Sequence, residues 1–277
     1  MKTLADNMKM NNEEPENDYD INGLLSKGKK IITFMGASKS GTSCILNNVA
    51  RLLSKKGVNV AILDVTQNKN SYYIYTKNEE TLRKIASSSF EELTQGVCKG
   101  IEVNNNLTVY TSLPGENELI KKVEPILETL LKKHSLILID CDFQTPIDYY
   151  EYASKIFLVQ TMEVLTIQPL TEILSKIKDK GFLVESKLRI ILNKYIELYG
   201  VTEKEIIGGM AFYNEPSLSY MKQLFDKNLV QYMKIPFNKE VYERYLQAVA
   251  NCDISLISYP NEFKILIEQL SGEIYSL

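Results

Sequence analysis

The sequence has no tryptophan, a single histidine (His134), and four cysteines, Cys44, Cys98, Cys141 and Cys252, with no paired spacing among them. One imidazole leaves little for histidine-based acid–base chemistry, and the scattered thiols suggest neither a zinc site nor a disulfide framework. Free thiols fit a reducing compartment. Positive charge is not in excess either: 32 Lys and Arg stand against 35 Asp and Glu, a net charge of −3. That balance excludes a broad basic face for wrapping nucleic acid and leaves at most a local patch. No segment reaches the ~20 apolar residues of a membrane span, and the N-terminus has no apolar run of the secretory kind. A cytoplasmic protein is expected.

What is present is an alternation. Residues 1–28, with NNEEPENDYDING at their centre, are polar and acidic and read as a flexible tail. From residue 29 to 277 the texture is that of one domain. IITFM (31–35) is a short continuous apolar run, suited to a strand buried on both faces of a parallel sheet. Ile45, Leu46, Val49, Ala50, Leu52 and Leu53 then recur at helical spacing, closed by Lys55, Lys56 and Gly57. VNVAILD, LTVYTS, SLILID, KIFLVQ, LRIILN and VQYMKIPF read as further strands. Helices are expected through Leu119–Lys132, from Pro169 to Gly181, from Lys239, and over Asn261–Tyr275. Such alternation builds right-handed βαβ crossovers, hence an α/β fold: a doubly wound, mostly parallel sheet with helices on both faces. The least regular stretch is 65–106, where QNKNSYYIYTKNEE interrupts the pattern and SSSFEEL offers a capping-box helix start.

The chemistry concentrates after the first strand. GASKSGTS, that is Gly36, Ala37, Ser38, Lys39, Ser40, Gly41, Thr42 and Ser43, fits G-x-x-x-x-G-K-[ST] at every fixed position except the lysine, where Thr42 stands. Glycines let backbone N–H groups curl around phosphate, the helix N-terminus adds partial positive charge, and Ser43 is placed to hold Mg²⁺. The absent ammonium is the group that offsets charge in phosphoryl transfer. SLILIDCD puts Asp140 at the end of a later apolar strand, as a Walker B acid would be. Gly-rich strand-to-helix turns also occur in sheets that bind nothing, and a strand-end aspartate also caps turns.

This order of motifs resembles the MinD/ParA group of deviant-Walker P-loop ATPases, from about Lys29 to Pro236. The resemblance places the family's signature lysine on Ala37 and its P-loop lysine on Thr42, so both are absent. It implies ATP and Mg²⁺ as cofactors, Ser43, Asp64 and Asp140 around the metal, and Asn193 and Pro236 near the adenine. Asp64, Asp140 and Asp142 are the candidate catalytic carboxylates. The family's D-x-D keeps its first acid as Asp64 and has Thr66 for the second, so weak or absent hydrolysis is implied. Loss of the loop lysine is similar to the CpaE/TadZ-like branch, which implies a positioning or assembly factor for a machine such as a pilus or secretion apparatus, and a homodimer with protein partners.

Other readings stay open on the residues alone: a nucleotide-free interaction module, a partitioning-type ATPase, or an enzyme for another phosphate-bearing substrate. Tyr72, Tyr73 and Tyr75 suit either a partner surface or simple packing. In the last helix Phe263, Leu266, Ile267, Leu270 and Ile274 form an apolar stripe, but Glu262, Glu268 and Glu273 face outward against one Lys264. An acidic face opposes anionic lipid, so docking on the protein's own core is expected. Lys27, Lys29 and Lys30 read as a solvated edge.

Overall fold

The computed structural model describes residues 20–207, 224, 226, 228–254 and 259–275 of the 277-residue chain. In chain order the first elements are α1 (Ile21–Ser26), β1 (Lys30–Gly36), α2 (Thr42–Lys55), β2 (Val60–Asp64), α3 (Asn70–Thr76) and α4 (Glu80–Thr94). Then follow β3 (Ile101–Asn104), β4 (Leu107–Tyr110), α5 (Val123–Lys133), β5 (Leu136–Cys141), β6 (Lys155–Gln160) and α6 (Ile167–Asp179). β7 (Leu188–Tyr195), α7 (Glu203–Ile206), β8 (Gln231–Pro236), α8 (Lys239–Ala250) and α9 (Asn261–Ile274) complete the described set.

The eight strands form one sheet in the order β3-β4-β2-β5-β1-β6-β7-β8, parallel throughout except for the antiparallel pair β3 and β4. Winding reverses at β1, with β2, β4 and β5 on one side and β6, β7 and β8 on the other. Period-2 alternation divides the core between the faces. Ile31 and Met35 of β1 join the cluster under α5 and α6, while Ile32 and Phe34 join the one under α2 and α9. Phe34 stacks on Phe157 of β6 with ring centroids 4.9 Å apart, locking β1 to β6 on that face.

Several expected boundaries move. The tail expected over 1–28 overlaps α1, whose Ile21 is buried in the α5 side of the core; residues 1–19 lie outside the described residues. SSSFEEL is not a helix start, because α4 begins at Glu80 and carries Ser87–Ser89 in its interior. Leu119 to Lys121 is a separate 3₁₀ turn, and α5 starts at Val123 with Pro125 in its first turn, where a missing N–H costs nothing. Tyr72, Tyr73 and Tyr75, in the stretch that interrupts the sequence pattern, lie on the short helix α3. Tyr75 is buried and donates to Asn47 Oδ1, whereas Tyr73 is exposed.

Two of the lysines near the start have structural partners. Lys29 Nζ donates to the carbonyls of Leu131 and Lys132 at the end of α5, and Lys30 Nζ to Ile274 O at the end of α9, 3.3 Å away. Both place an ammonium at a helix C-terminus, where the dipole favours it. α9 packs on α2 and buries Phe263, Ile267, Leu270 and Ile274, so the apolar stripe is consumed by the protein's own core. Among the described residues no helix is long and apolar enough to cross a membrane.

Candidate functional site

Ligands in open α/β sheets bind beyond the carboxyl ends of the strands where winding reverses, and here that point is the loop between β1 and α2. Gly36 cannot be replaced without cost: a Cβ there would lie 2.3 Å from Thr42 Oγ1, 2.5 Å from Ser40 Oγ and 2.6 Å from Val159 O. Gly41 has φ +95°, a left-handed value that glycine adopts freely, and a Cβ there would sit 2.3 Å from Asn193 Nδ2. The loop is therefore tightly curled. Thr42, in the lysine's place, is nearly buried, with its Oγ1 2.9 Å from Ser40 Oγ.

A cavity of about 300 Å³ opens on this loop. One wall is Gly36–Lys39 with Gly41, Thr42, Ser43 and Cys44, so the first turn of α2, whose backbone N–H groups have no intrahelical partner, faces it. The opposite wall carries Thr66, Gln67, Asp140 and Asp142. A second cavity of about 340 Å³, mostly apolar, adjoins it on the far side of Gly41 and is lined by Ile45, Asn193, Ile235, Pro236, Phe237 and Tyr242. The expected phosphate-side and base-side residues thus surround two adjoining cavities. Cys44 borders both, and burial pushes its thiol up to about 11, so it remains protonated at neutral pH.

The carboxylates differ sharply. Asp64 and Asp140 are register partners at the ends of β2 and β5. Asp64 is fully buried and does not line the cavity. It accepts from Thr66 N–H at 3.1 Å, Thr66 Oγ1 at 2.6 Å and Ser71 N–H at 3.0 Å, which fixes the turn from β2 into α3. Asp140 is only 1% exposed, lines the cavity, and neither oxygen has a partner in good hydrogen-bond geometry, although the Ser43 hydroxyl is close enough to favour its charged form. Burial above all, then the charge of Asp64, raises its carboxyl well above the usual range. Asp142 is committed: its Oδ2 accepts from Gln67 N–H at 2.5 Å and its Oδ1 from Gln144 N–H at 2.8 Å, tying the β2 and β5 loops together.

Three contacts appear only in the folded chain. Lys69 is fully buried, its Nζ 3.3 Å from Asp64 O and 5.5 Å from the Phe90 ring centre. Burial lowers its pKa, opposed by Asp64, Asp142 and Asp140. Asn193 Nδ2 donates to Ser40 O at 2.7 Å, so the amide expected near a base also holds the loop. Lys194 Nζ donates to Lys39 O at 2.9 Å. Both lysines lie at or just beyond the carboxyl end of a strand, Lys69 after β2 and Lys194 at the end of β7, which is the signal in the sequence that marks them.

Among the described residues no group of three or more His, Cys, Asp and Glu side chains is gathered as a metal cage. Mg²⁺ does not need one, because it usually takes one or two carboxylates together with waters and substrate phosphates. Asp140, with the Ser43 hydroxyl close beside it, fits that demand.

No family profile matches the sequence, and no curated protein does. Solved structures do match. The ParA family ATPase from Chlorobium tepidum TLS is similar with a TM-score of 0.60 and 17% identity, over 88% of this chain and 98% of that one. The MinC:MinD cell division protein complex from Aquifex aeolicus matches with a TM-score of 0.58 and 14% identity, over 90% and 98%. The septum site-determining protein MinD complexed with Mg-ADP from Pyrococcus horikoshii OT3 matches with a TM-score of 0.56 and 15% identity, over 90% and 96%. The architecture of this chain, an eight-stranded and mostly parallel sheet covered by helices, is the P-loop fold of the MinD/ParA ATPases.

Proposed function

We propose that the chain binds an adenine nucleotide with Mg²⁺ at Gly36–Ser43, hydrolyses ATP weakly or not at all, and serves as a positioning or assembly factor. Asp140 carries this reading. A buried carboxylate without well-formed hydrogen bonds is costly, and it becomes reasonable when a cation joins it across a cavity walled by a helix N-terminus. Ser43 and Asp140 would hold Mg²⁺, whose charge would screen the phosphates from the acid cluster. Gly36, Ala37, Ser38, Lys39, Ser40, Gly41 and Thr42 would cradle the phosphates, and Ile235, Pro236 and the Asn193 Oδ1 would border the base. Two of the compared structures are an MgADP complex and an ATPase, which supports this choice of ligand.

The chain's own residues argue against efficient turnover. Thr42 offers no ammonium to a transferring phosphoryl group. Thr66, where the family has a second acid, spends its hydroxyl on Asp64, and Asp142 is occupied by two backbone N–H groups. Asp64 then acts behind Asp140, setting its position and charge, rather than as a direct metal ligand. Lack of the loop lysine supports a part like that of the CpaE/TadZ-like branch, with a homodimer and protein partners; a MinD among the compared structures is complexed with MinC. Exposed Leu165, Ile196 and Tyr199 lie on the chain segments beside the loop, where a partner would find apolar surface.

Thermal unfolding with and without Mg²⁺ tests the reading. ATP and ADP at 100 times their dissociation constant should each stabilise by about 2.7 kcal/mol, with phosphate release near background. No shift with any nucleotide, or a shift only with a different phosphate compound, would remove the assignment.

A further inference from the structure

A lysine at position 42 would supply positive charge and help hold the loop in shape. Thr42 supplies no charge, yet the loop is held, and it is held from outside. Two successive residues at the end of β7 reach two successive loop carbonyls: Asn193 Nδ2 to Ser40 O at 2.7 Å, and Lys194 Nζ to Lys39 O at 2.9 Å. Lys194 and Lys39 both have left-handed backbones, φ +54° and +64°. That conformation is unfavourable for a non-glycine residue, and it persists only where the surroundings over-determine it. A register shift between Asn193 and Tyr195 in the β7–β8 pairing accompanies the turn, and such irregularities re-aim side chains. Tyr242 of α8 completes the setting, with its ring centre 5.4 Å from the Lys194 ammonium.

A carbonyl bound by an ammonium makes a charge-assisted hydrogen bond, about twice as strong as a neutral one. It turns the loop's oxygens outward, leaves the amides for an anion, and adds positive potential at the loop. We propose that Lys194 is the positioning residue of this phosphate loop, replacing from β7 the lysine that the loop lacks, and that it does so without reading the outermost phosphate. The proposal rests on the loop being a nucleotide-phosphate site. Lys194 borders the apolar cavity and not the one that contains Asp140. Its effect therefore falls on what a nucleoside diphosphate and triphosphate share. The site reports occupancy rather than the difference between ATP and ADP.

Two measurements on the full chain test this, with Lys194→Met, Lys194→Arg and, as a control, Lys55→Met at an exposed position in the last turn of α2. The first is amide hydrogen exchange without ligand at the two bonded amides of the loop, Ser40 N–H to Ala37 O and Ile45 N–H to Gly41 O, each 3.0 Å, which needs no nucleotide binding. Lys194→Met should speed exchange there about tenfold or more, the scale of one charge-assisted bond. Lys194→Arg should restore slow exchange, and Lys55→Met, remote from the loop, should leave it unchanged. The second is calorimetry with MgADP and MgATP, where Lys194→Met should weaken both by the same factor of about ten or more and arginine should recover most of it. Unchanged exchange in Lys194→Met would overturn the proposal, as would a loss for ATP several times the loss for ADP. If the wild type binds neither nucleotide, the nucleotide reading and the charge role both fail, while the exchange arm still decides whether Lys194 holds the loop.

Discussion

Gly36 and Asp140 bear most of the argument at the scale of single residues. Gly36→Ala forces a Cβ against the Val159 carbonyl and two loop hydroxyls, and backbone cannot yield as a side-chain tip does. Affinity for MgADP should fall at least about tenfold while the fold survives, which calorimetry and circular dichroism together would check. Asp140→Asn should act in the opposite sense on stability. The folded state prefers a protonated Asp140, so the wild type loses stability as pH rises above the usual carboxylate pKa. Removing the charge should therefore stabilise the free protein at pH 7 by on the order of 1 kcal/mol, a gain that shrinks toward pH 4 and is accompanied by loss of Mg²⁺-dependent nucleotide binding. Urea unfolding at several pH values would show it, and a destabilised variant at pH 7 would contradict the account.

At the scale of elements, His134 is a clamp rather than a catalyst. Asn59 Nδ2 donates to Lys133 O at 3.0 Å, which turns its Oδ1 toward His134 Nδ1 at 2.7 Å, so that nitrogen carries the proton. Nε2 then accepts from Tyr110 O–H at 2.8 Å, and the Tyr110 oxygen accepts from the Cys98 thiol. The chain ties β4 to the end of α5 and the start of β2. Burial, then Lys133 and Lys29, lowers His134 to about 4, against about 6.5 in an unfolded chain. The unfolded state thus binds the extra proton first. The neutral ring's contribution is complete above pH 6.5 and is lost as pH falls toward 4, at most about 3 kcal/mol. His134→Gln should flatten the pH dependence of stability across that window.

α9 offers a second test at this scale. Ile267 is fully buried against the sheet, so Ile267→Ala should cost about 2–5 kcal/mol. Glu268→Ala on the outer side should stay within about 0.5 kcal/mol. Equal small effects would mean that the helix does not dock as described.

The same comparison of elements explains what the sequence made legible. Buried parallel strands announce themselves as apolar runs, and the Gly36–Ser43 loop has a fixed spacing, so the sheet and the site's position could be read directly. α3 could not, because seven residues with three Tyr among them carry no helical stripe, and its start is set by side-chain bonds in the turn after β2, from Ser71 N–H and Thr66 to Asp64. The roles of Asn193 and Lys194 were hidden for a different reason. Each depends on which strand lies beside which, and the order β5-β1-β6-β7 is a property of the sheet rather than of any local stretch.

At the scale of the whole molecule, a net charge of −3 and the two carboxylates lining the cavity, Asp140 and Asp142, mean that the proposed nucleotide binding would depend on the loop, on Mg²⁺ and on a few lysines around them. The fold is that of the MinD/ParA structures, and in the proposed reading Thr42, Thr66 and Asp142 are the positions that would keep hydrolysis slow. Retention of binding without turnover is tested by calorimetry of MgATP with the wild type and with Gly41→Arg, the recovered nucleotide being assayed for ADP. Saturable heat is expected for the wild type, none for the folded variant, and ATP should be recovered intact. No heat from a folded wild type, or rapid conversion to ADP, would rule out such a binding site.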